Sequence, residues 1–280
     1  MSSTVPADPG PRKAAVLGSP IAHSRSPQLH LAAYRALGLD GWTYDRIDCS
    51  AAELPALVAG FSPQWVGVSV TMPGKFAALA FADERTFRAE RIGSANTLVR
   101  TETGWLADNT DVDGVRGALQ SAGDVSGTRA IVLGSGGTAP AAVVALAELG
   151  VSHISVVARN ADKAARLVRL AAELAVPAAH CALDDQVRLA EVAGAAAVMV
   201  STVPADVAAR HTLLLAGVPV LLDALYDPWP TPLAAAVSAA GGTVISGLQM
   251  LLHQAFTQVE LFTGRPAPRA EMTCALDAPA

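Results

Sequence analysis

The feature that most constrains the fold is a strand, a glycine-rich turn and a helix near the middle of the chain. The apolar run Arg129–Leu133 predicts a buried strand, and the turn 134–138 leads into an alanine-rich helix that ends near Leu149. A second apolar strand, 154–157, completes a βαβ unit. With Ala139 at the third small position, the turn matches the dinucleotide-binding fingerprint in its required context. The alternative is a glycine turn that only packs a helix on a sheet.

The residues after that second strand bear on which dinucleotide would bind. Domains that bind NAD usually carry an acidic residue here for the ribose hydroxyls, whereas arginine suits the 2′-phosphate of NADP. This chain has Ala158, Arg159 and Asn160, with Lys163 further along. The alternative is an exposed arginine at the start of a helix.

A lysine follows another predicted strand, Trp65–Val70, which is apolar and rich in β-branched residues. The strand ends before Pro73 and Gly74, with Thr71 and Lys75 four residues apart and a helical pattern behind the lysine. Side chains at such a junction point into the crevice of an open α/β sheet. The alternative is an ordinary surface lysine after a turn.

The loop 18–27 is too polar and too rich in proline to form an element. Pro27 suits the first turn of a helix, and Ser26 before it suits the N-cap. Ser24 has no such structural explanation. Two hydroxyls beside a helix N-terminus favour binding of a polyol or a carboxylate.

Three aspartates lie within the segment 108–114. An EF-hand calcium loop would need a glutamate at position 119, which is leucine. A capping role for Thr110 or Asp111 at a helix 112–122 explains one acidic residue but not the cluster.

Composition excludes several classes of function. Hydrophobic residues make up 51% of the 280 positions and charged residues 16%, with a net charge of −5 and no basic stretch, so a large core is expected and nucleic acid is not. Three widely spaced cysteines suit neither a disulfide framework nor a zinc site and favour the cytoplasm. No membrane span, signal peptide or metal site is expected, and residues 1–12 are interpreted as a disordered tail.

Alternating strands and helices over the whole chain predict an α/β fold with a Rossmann-type second half. The last long helix, 248–262, is amphipathic and carries Gln254 and Gln258 one turn apart. Both glutamines are interpreted as solvated surface on this pattern alone.

Eight motifs, in order, resemble those of the shikimate dehydrogenase family. They cover nearly the whole chain and occupy residues 18–27, 67–75, 93–97, 109–111, 201–204, 223–226, 231–233 and 247–254. The resemblance implies reversible reduction of 3-dehydroshikimate to shikimate with NADPH, in chorismate and aromatic amino acid biosynthesis. It also implies two domains around a cleft: a substrate-binding domain (1–110, completed by 247–280) and a Rossmann NADP-binding domain (111–246).

The resemblance also implies roles for individual residues. Lys75 and Asp111 would be the catalytic pair. Further substrate contacts would come from Ser24, Ser26, Thr71, Asn96, Tyr226 and Gln254. Cofactor contacts would come from Gly134, Ser135, Gly136, Gly137, Thr138, Ala158, Arg159, Asn160, Lys163, Ala224 and Gly247.

The chain departs from the family pattern at three places. The family usually has asparagine where this chain has Leu31 and Ser69, and Asn-Arg-Thr where it has residues 158–160. Leu31 and Ser69 are not among the residues with an assigned role, and the two departures are predicted to affect none of those roles directly.

Three other functions fit parts of the pattern. A quinate/shikimate dehydrogenase that prefers NAD would need an acidic residue near 158–160. A non-catalytic, metabolite-sensing relative would not need both Lys75 and Asp111. A glutamyl-tRNA reductase would need a nucleophilic cysteine, and Cys49 lies in no comparable setting. A homodimer is one option for the assembly, which the sequence does not decide.

Overall fold

The computed structural model describes residues 10–277, so most of the tail interpreted as disordered lies outside the described residues. The chain divides into two compact units. Unit 1 comprises Met1–Ala89, Ser94–Asp108 and Ala255–Ala280, and unit 2 comprises Glu90–Gly93 and Asn109–Gln254.

Unit 1 contains a mixed six-stranded sheet. Its strands are β1 (Lys13–Gly18), β2 (Thr43–Asp48), β3 (Trp65–Val70), β4 (Glu84–Arg85), β5 (Thr97–Arg100) and β6 (Trp105–Asp108), in the order β2-β1-β3-β5-β6-β4. Strands β1, β2 and β3 are parallel, whereas β5 runs antiparallel to β3 and forms a hairpin with β6. The first four helices are α1 (Ser26–Ala36), α2 (Leu54–Ala59), α3 (Lys75–Phe81) and α4 (Phe87–Ile92).

Unit 2 contains a parallel six-stranded sheet. Its strands are β7 (Arg129–Leu133), β8 (His153–Ala158), β9 (Ala178–Ala182), β10 (Val198–Ser201), β11 (Val220–Asp223) and β12 (Thr243–Ile245), in the order β12-β11-β10-β7-β8-β9. This is the doubly wound Rossmann order, in which the strand order reverses between β7 and β10. The predicted glycine turn follows β7 and therefore lies at that switch point.

Helices cover both faces of this sheet. They are α5 (Asp111–Gln120), α6 (Ala139–Glu148), α7 (Ala161–Glu173), α8 (Gln186–Ala195), α9 (Ala205–Ala209), α10 (Thr212–Leu215) and α11 (Pro232–Ala239). Alternate residues of β7 belong to two different cores: Ala130 and Val132 to one, Ile131 and Leu133 to the other. A strand that is buried on both faces has a continuous run of apolar residues, and this is why β7 could be predicted from the sequence.

The last two helices are α12 (Gly247–Thr263) and α13 (Arg269–Asp277). Residues of α12 up to Gln254 belong to unit 2 and those from Ala255 onward to unit 1. In unit 1, α12 lies directly on β3, because a Cβ atom on Gly67 would collide with the ring of Phe262. Helix α13 packs on α1, with Arg25 Nη2 donating to the carbonyl oxygen of Leu276 at 3.1 Å.

Some elements differ from the sequence-based predictions. Strand β4 is only two charged residues long, and β9 has the sequence AAHCA, which lacks β-branched residues, so neither gives a strand pattern. Helices α4, α9 and α10 were not predicted either. Among the described residues, no helix combines the length and apolar character that a membrane crossing requires.

Candidate active site

In unit 1, the predicted substrate loop and the lysine turn lie side by side at the carboxyl ends of β1 and β3. Thr71 N donates to the carbonyl oxygen of Leu17 at 2.9 Å, and Ser19 N donates to that of Met72 at 3.1 Å. The loop that contains Ser24 therefore starts beside the turn that contains Thr71.

Lys75 is the first residue of α3, with Gly74 at the N-cap. The carbonyl oxygen of Lys75 accepts a hydrogen bond from Ala95 N at 3.0 Å. Asn96 follows Ala95 in the sequence, and its carbonyl oxygen accepts a hydrogen bond from Val70 N at 2.7 Å. The structure thus brings Lys75 and Asn96 into one corner of unit 1. Lys75 is half-buried, whereas Asn96 is only 2% exposed.

Ser24 and Ser26 are both buried, with their Oγ atoms 3.3 Å apart. The prediction that Ser26 caps α1 is wrong: α1 begins at Ser26, and Arg25 occupies the N-cap without a side-chain bond. Instead, the Oγ atom of Ser24 accepts the N–H of Ser26 at 3.3 Å. Ser24 therefore has a structural role that the sequence did not reveal.

Asn96 is held by a buried chain of side chains. Thr97 Oγ1 donates to Asn96 Oδ1 at 2.8 Å, and Gln258 Nε2 donates to Thr97 Oγ1 at 2.9 Å. The Oγ atom of Ser69 donates to Gln258 Oε1 at 2.7 Å. The interpretation of Gln258 as solvated surface is wrong, because it is 1% exposed. The side chain of Ser69 is connected to Asn96 only indirectly, through Gln258 and Thr97.

The three aspartates of the segment 108–114 have separate positions. Asp108 forms a bidentate ion pair with Arg88, with two bonds of 2.6 Å, and Asp113 pairs with Arg116 at 2.6 Å. Asp111 is the first residue of α5 and is 3% exposed. Thr110 occupies the N-cap position, as one of the two predicted options, but its side chain makes no cap bond. Asn109 Oδ1 instead accepts the N–H of Asp111 at 3.2 Å.

In unit 2, the glycine turn forms one wall of a cavity of about 230 Å³ at the switch point. Seven predicted cofactor residues line it: Gly134, Ser135, Gly136, Ala158, Arg159, Asn160 and Lys163. Gly134 has φ +113° and lies against Thr202, so no side chain fits there. The Cβ positions of Gly136 and Gly137 face open space, which lets a phosphate approach the backbone closely. Gly137 and Thr138 lie in the turn but do not line the cavity.

The far wall of this cavity carries positive charge. Ala158 is buried at the end of β8, whereas Arg159 and Lys163 are exposed. Asn160 caps α7, its Oδ1 atom accepting the N–H of Lys163 at 2.8 Å. These residues fit a cofactor with a phosphate on its adenosine ribose, because Arg159 and Lys163 line the cavity and no aspartate or glutamate is among the lining residues that the structure describes, although Asp162 lies in the first turn of α7.

The remaining predicted residues of unit 2 lie near α12. Gly247 N donates to the carbonyl oxygen of Leu225 at 3.1 Å, which places Gly247 beside Ala224 and Tyr226. Gln254 is one turn from Met250, whose backbone contacts Gly114 of α5. The start of α5, with Asp111, is thus close to Gln254 within this unit.

The loop that carries Tyr226 is anchored by two motif residues, Asp223 and Thr231, to which the sequence analysis gave no role. Thr231 Oγ1 donates to Asp223 Oδ2 at 2.7 Å and accepts the N–H of Ala234 at 3.1 Å as the N-cap of α11. Burial raises the pKa of Asp223, and the hydrogen bonds from Thr231 and Leu225 partly offset this. A signal was present in the sequence, because Thr-Pro at 231–232 is typical of a helix start.

No group of three or more acidic, histidine or cysteine side chains suited to a metal occurs among residues 10–277. Cys49 is a free thiol whose pKa is raised by burial and, to a lesser extent, by Glu53 and Asp48. A raised pKa keeps the thiol protonated and makes it a poor nucleophile.

Comparison with known proteins decides the family. A family model described as the shikimate dehydrogenase substrate binding domain matches residues 16–98, and one described as the shikimate 5'-dehydrogenase C-terminal domain matches residues 247–276. A shikimate dehydrogenase (NADP(+)) from Anaeromyxobacter dehalogenans is 39% identical over 269 residues, which cover 94% of this chain and 95% of that protein. The chain belongs to the shikimate dehydrogenase family.

Solved structures of the shikimate dehydrogenase family agree with this assignment. The crystal structure of the Mycobacterium tuberculosis enzyme is 71% identical, with a TM-score of 0.91, and covers 95% of this chain and 99% of that one. The Thermus thermophilus enzyme in complex with NADP(H) and shikimate is 30% identical, with a TM-score of 0.79 and coverage of 95% and 98%. The resemblance drawn from the eight motifs and the α/β fold class are therefore confirmed.

Proposed function

We propose that this shikimate dehydrogenase reversibly reduces 3-dehydroshikimate to shikimate with NADPH and that Lys75 is its acid and base. The observation that carries the proposal is the corner of unit 1 in which Lys75, Asn96, Thr71 and the Ser24 loop meet. That corner lies within the segment matched by the substrate-binding family model.

The proposed role of Lys75 follows from the charge that develops on the substrate. NADPH, when bound, supplies a hydride, and the ketone oxygen becomes an alkoxide that needs a positive partner and a proton. An ammonium group at the head of α3 provides both. In the oxidation direction, the neutral amine takes the proton back from the hydroxyl group.

We further propose that Asp111 works with Lys75 as one functional unit. Each residue heads a helix, α3 and α5 respectively. A carboxylate beside an ammonium favours its charged form and fixes its direction. This assignment rests on the family resemblance and on the position of Asp111 at the start of α5.

Polar side chains suit a small carboxylate with several hydroxyl groups. In this proposal Ser24, Ser26, Thr71 and Asn96 bind substrate from unit 1, and Tyr226 and Gln254 do so from unit 2. Hydroxyls and amides can each donate and accept, which matches the mixed needs of a polyol.

For the cofactor, we propose that the turn 134–138 binds the pyrophosphate and that Arg159 and Lys163 bind the 2′-phosphate. The support is the cavity that these residues line and the buried Ala158, which offers no carboxylate to ribose hydroxyls. Ala224 and Gly247 are proposed to contact the nicotinamide end, because both lie on the opposite side of the switch point, after β11 and β12.

The test is an absorbance assay with purified protein, in which shikimate or quinate is offered with NADP or NAD. We expect NADPH to form with shikimate and NADP, and far less product with quinate or with NAD. The Lys75→Ala variant is the background control. A well-folded wild type that oxidises shikimate no faster than this variant would refute the proposed reaction.

Two assignments stay predictions from the sequence, namely a cytoplasmic location and a homodimer. Cell fractionation tests the first, and light scattering during size-exclusion chromatography tests the second. A mass of one chain at all concentrations would contradict a dimer.

A further inference from the structure

The buried polar chain behind Asn96 has a single hydrogen-bond direction. Tyr44 OH donates to Ser69 Oγ at 2.6 Å, and Ser69 Oγ donates to Gln258 Oε1 at 2.7 Å. Gln258 Nε2 then donates to Thr97 Oγ1, and Thr97 Oγ1 donates to Asn96 Oδ1. These five residues, which we call the Gln258 relay, are each 4% exposed or less.

The neighbouring histidine fixes the orientation of the Gln258 amide. The ring of His30 is fully buried, with Nε2 3.4 Å from Gln258 Oε1. Burial lowers the pKa of His30 to about 3, so the ring is neutral and carries one proton. Among residues 10–277, Nδ1 has no hydrogen-bond partner, and a buried N–H without a partner is costlier than a bare ring nitrogen. The proton therefore lies on Nε2, and Oε1 receives both the His30 and Ser69 donors.

The backbone explains how a helix side chain reaches this position. Ser69 and Thr97 are paired residues of the antiparallel strands β3 and β5. Phe262, one turn beyond Gln258 on α12, lies on Gly67 of β3. The close approach of α12 at Gly67 brings the Gln258 carboxamide between the hydroxyls of Ser69 and Thr97.

We propose that Gln258 is a positioning residue that makes Asn96 a hydrogen-bond donor to the substrate. Thr97 has a single hydroxyl hydrogen, and because Gln258 donates to its oxygen, that hydrogen goes to Asn96 Oδ1. With its Oδ1 atom bonded to Thr97, the Asn96 amide directs its Nδ2 group, which is a donor, toward an oxygen atom of the substrate. The carboxamide of Gln258 supplies the amide donor beside Thr97, because Ser69 on the paired strand offers only a short hydroxyl.

The proposal rests on the proposed function, since it assumes that Asn96 contacts shikimate. Gln258→Ala should raise the KM for shikimate roughly 2- to 12-fold, which corresponds to the loss of one oriented neutral hydrogen bond, while the KM for NADP stays unchanged. Adding Ser69→Asn to this variant restores an amide at the same place and should recover most of the loss.

Gln258→Glu gives a second and independent measurement. A carboxylate only accepts hydrogen bonds, so Thr97 turns its hydrogen toward residue 258 and releases Asn96. Burial raises the pKa of an introduced carboxyl group, and its protonated form can again donate to Thr97. The KM for shikimate, relative to wild type at the same pH, should therefore fall as the pH is lowered.

The control is Thr263→Val, which removes a 2.7 Å bond to the carbonyl oxygen of Val259 in the same helix but lies outside the Gln258 relay. It should lower thermal stability and leave the KM for shikimate unchanged. If wild type does not oxidise shikimate, the proposed function fails. If wild type is active and Gln258→Ala leaves the KM unchanged, or Ser69→Asn gives no recovery, the positioning role is refuted. If Gln258→Ala does not fold, a pH-independent KM in Gln258→Glu refutes it.

Discussion

Acid should destabilise unit 1 through a single buried histidine, His30. The ring stacks on Tyr44, with centroids 3.9 Å apart, and lies 5.7 Å from the ring of Phe262. Among residues 10–277, no carboxylate pairs with it, and burial lowers its pKa from 6.5 to about 3. A proton that binds to the unfolded chain therefore has no comparable site in the folded state.

The sign and size follow from proton linkage. Because the pKa in the folded state is depressed, the stability that His30 contributes is fully present above pH 6.5 and is lost as the pH falls toward 3. Each unit by which the pH falls within this window lowers the free energy of unfolding by about 1.4 kcal/mol. Lowering the pH to about 5 should thus remove about 2 kcal/mol of unfolding free energy.

The perturbation is His30→Phe, which keeps a flat ring between Tyr44 and Phe262 but cannot titrate. Urea unfolding followed by tryptophan fluorescence suits the measurement, because three of the four tryptophans, Trp42, Trp65 and Trp105, lie in unit 1. Wild type should lose about 2 kcal/mol more than the variant between neutral pH and about pH 5.

A second histidine provides the comparison. Partial burial, together with the charges of Arg129 and Arg188, lowers the pKa of His153 in unit 2, so its effect on stability has the same sign. His153→Gln should keep most of the acid sensitivity of unit 1. Equal acid sensitivity of wild type and His30→Phe would refute the reasoning, because it would mean that His30 takes up a proton in the folded state.

Other predictions concern the catalytic pair, the cofactor and the loop after β11. Lys75→Ala should lower kcat by about 10²–10⁴-fold with a smaller change in KM. Adding Asp111→Asn should lower kcat by far less than the product of the two single effects. Multiplicative losses of kcat in steady-state kinetics would contradict the proposal that the two residues act as one functional unit. Ala158→Asp with Arg159→Ala should erase most of a preference for NADP over NAD, which we expect to be about 10- to 150-fold in kcat/KM; an unchanged ratio would exclude Arg159 as the phosphate ligand. Thr231→Val should destabilise the protein by about 2–4 kcal/mol in urea unfolding, because a cap and a bond to a buried carboxylate are both lost; Thr231→Ser keeps both, and equal stability of the two variants would contradict this role.

Local sequence determined much of this protein. The strand β7, the glycine turn and the start of α6 could be predicted because a strand buried on both faces must be apolar and a backbone that approaches phosphate must be glycine. Thr71 and Lys75 could be located because both follow the end of a predicted strand, and the Ser24 loop because it is too polar and too rich in proline to form an element. These features could be predicted because each depends on the types and order of residues that are close together in the sequence.

Only the tertiary structure decided the surroundings of Asn96. Gln254 and Gln258 are one turn apart on an amphipathic helix, and their sequence pattern treats them alike. Gln258 is nevertheless buried, because Gly67 lets α12 contact the sheet and turns this face of the helix toward Ser69 and Thr97. The hydrogen bond between Ser69 and Gln258 joins residues 189 positions apart, and hydrogen bonds at such separation depend on how helix and sheet pack, which no local pattern specifies.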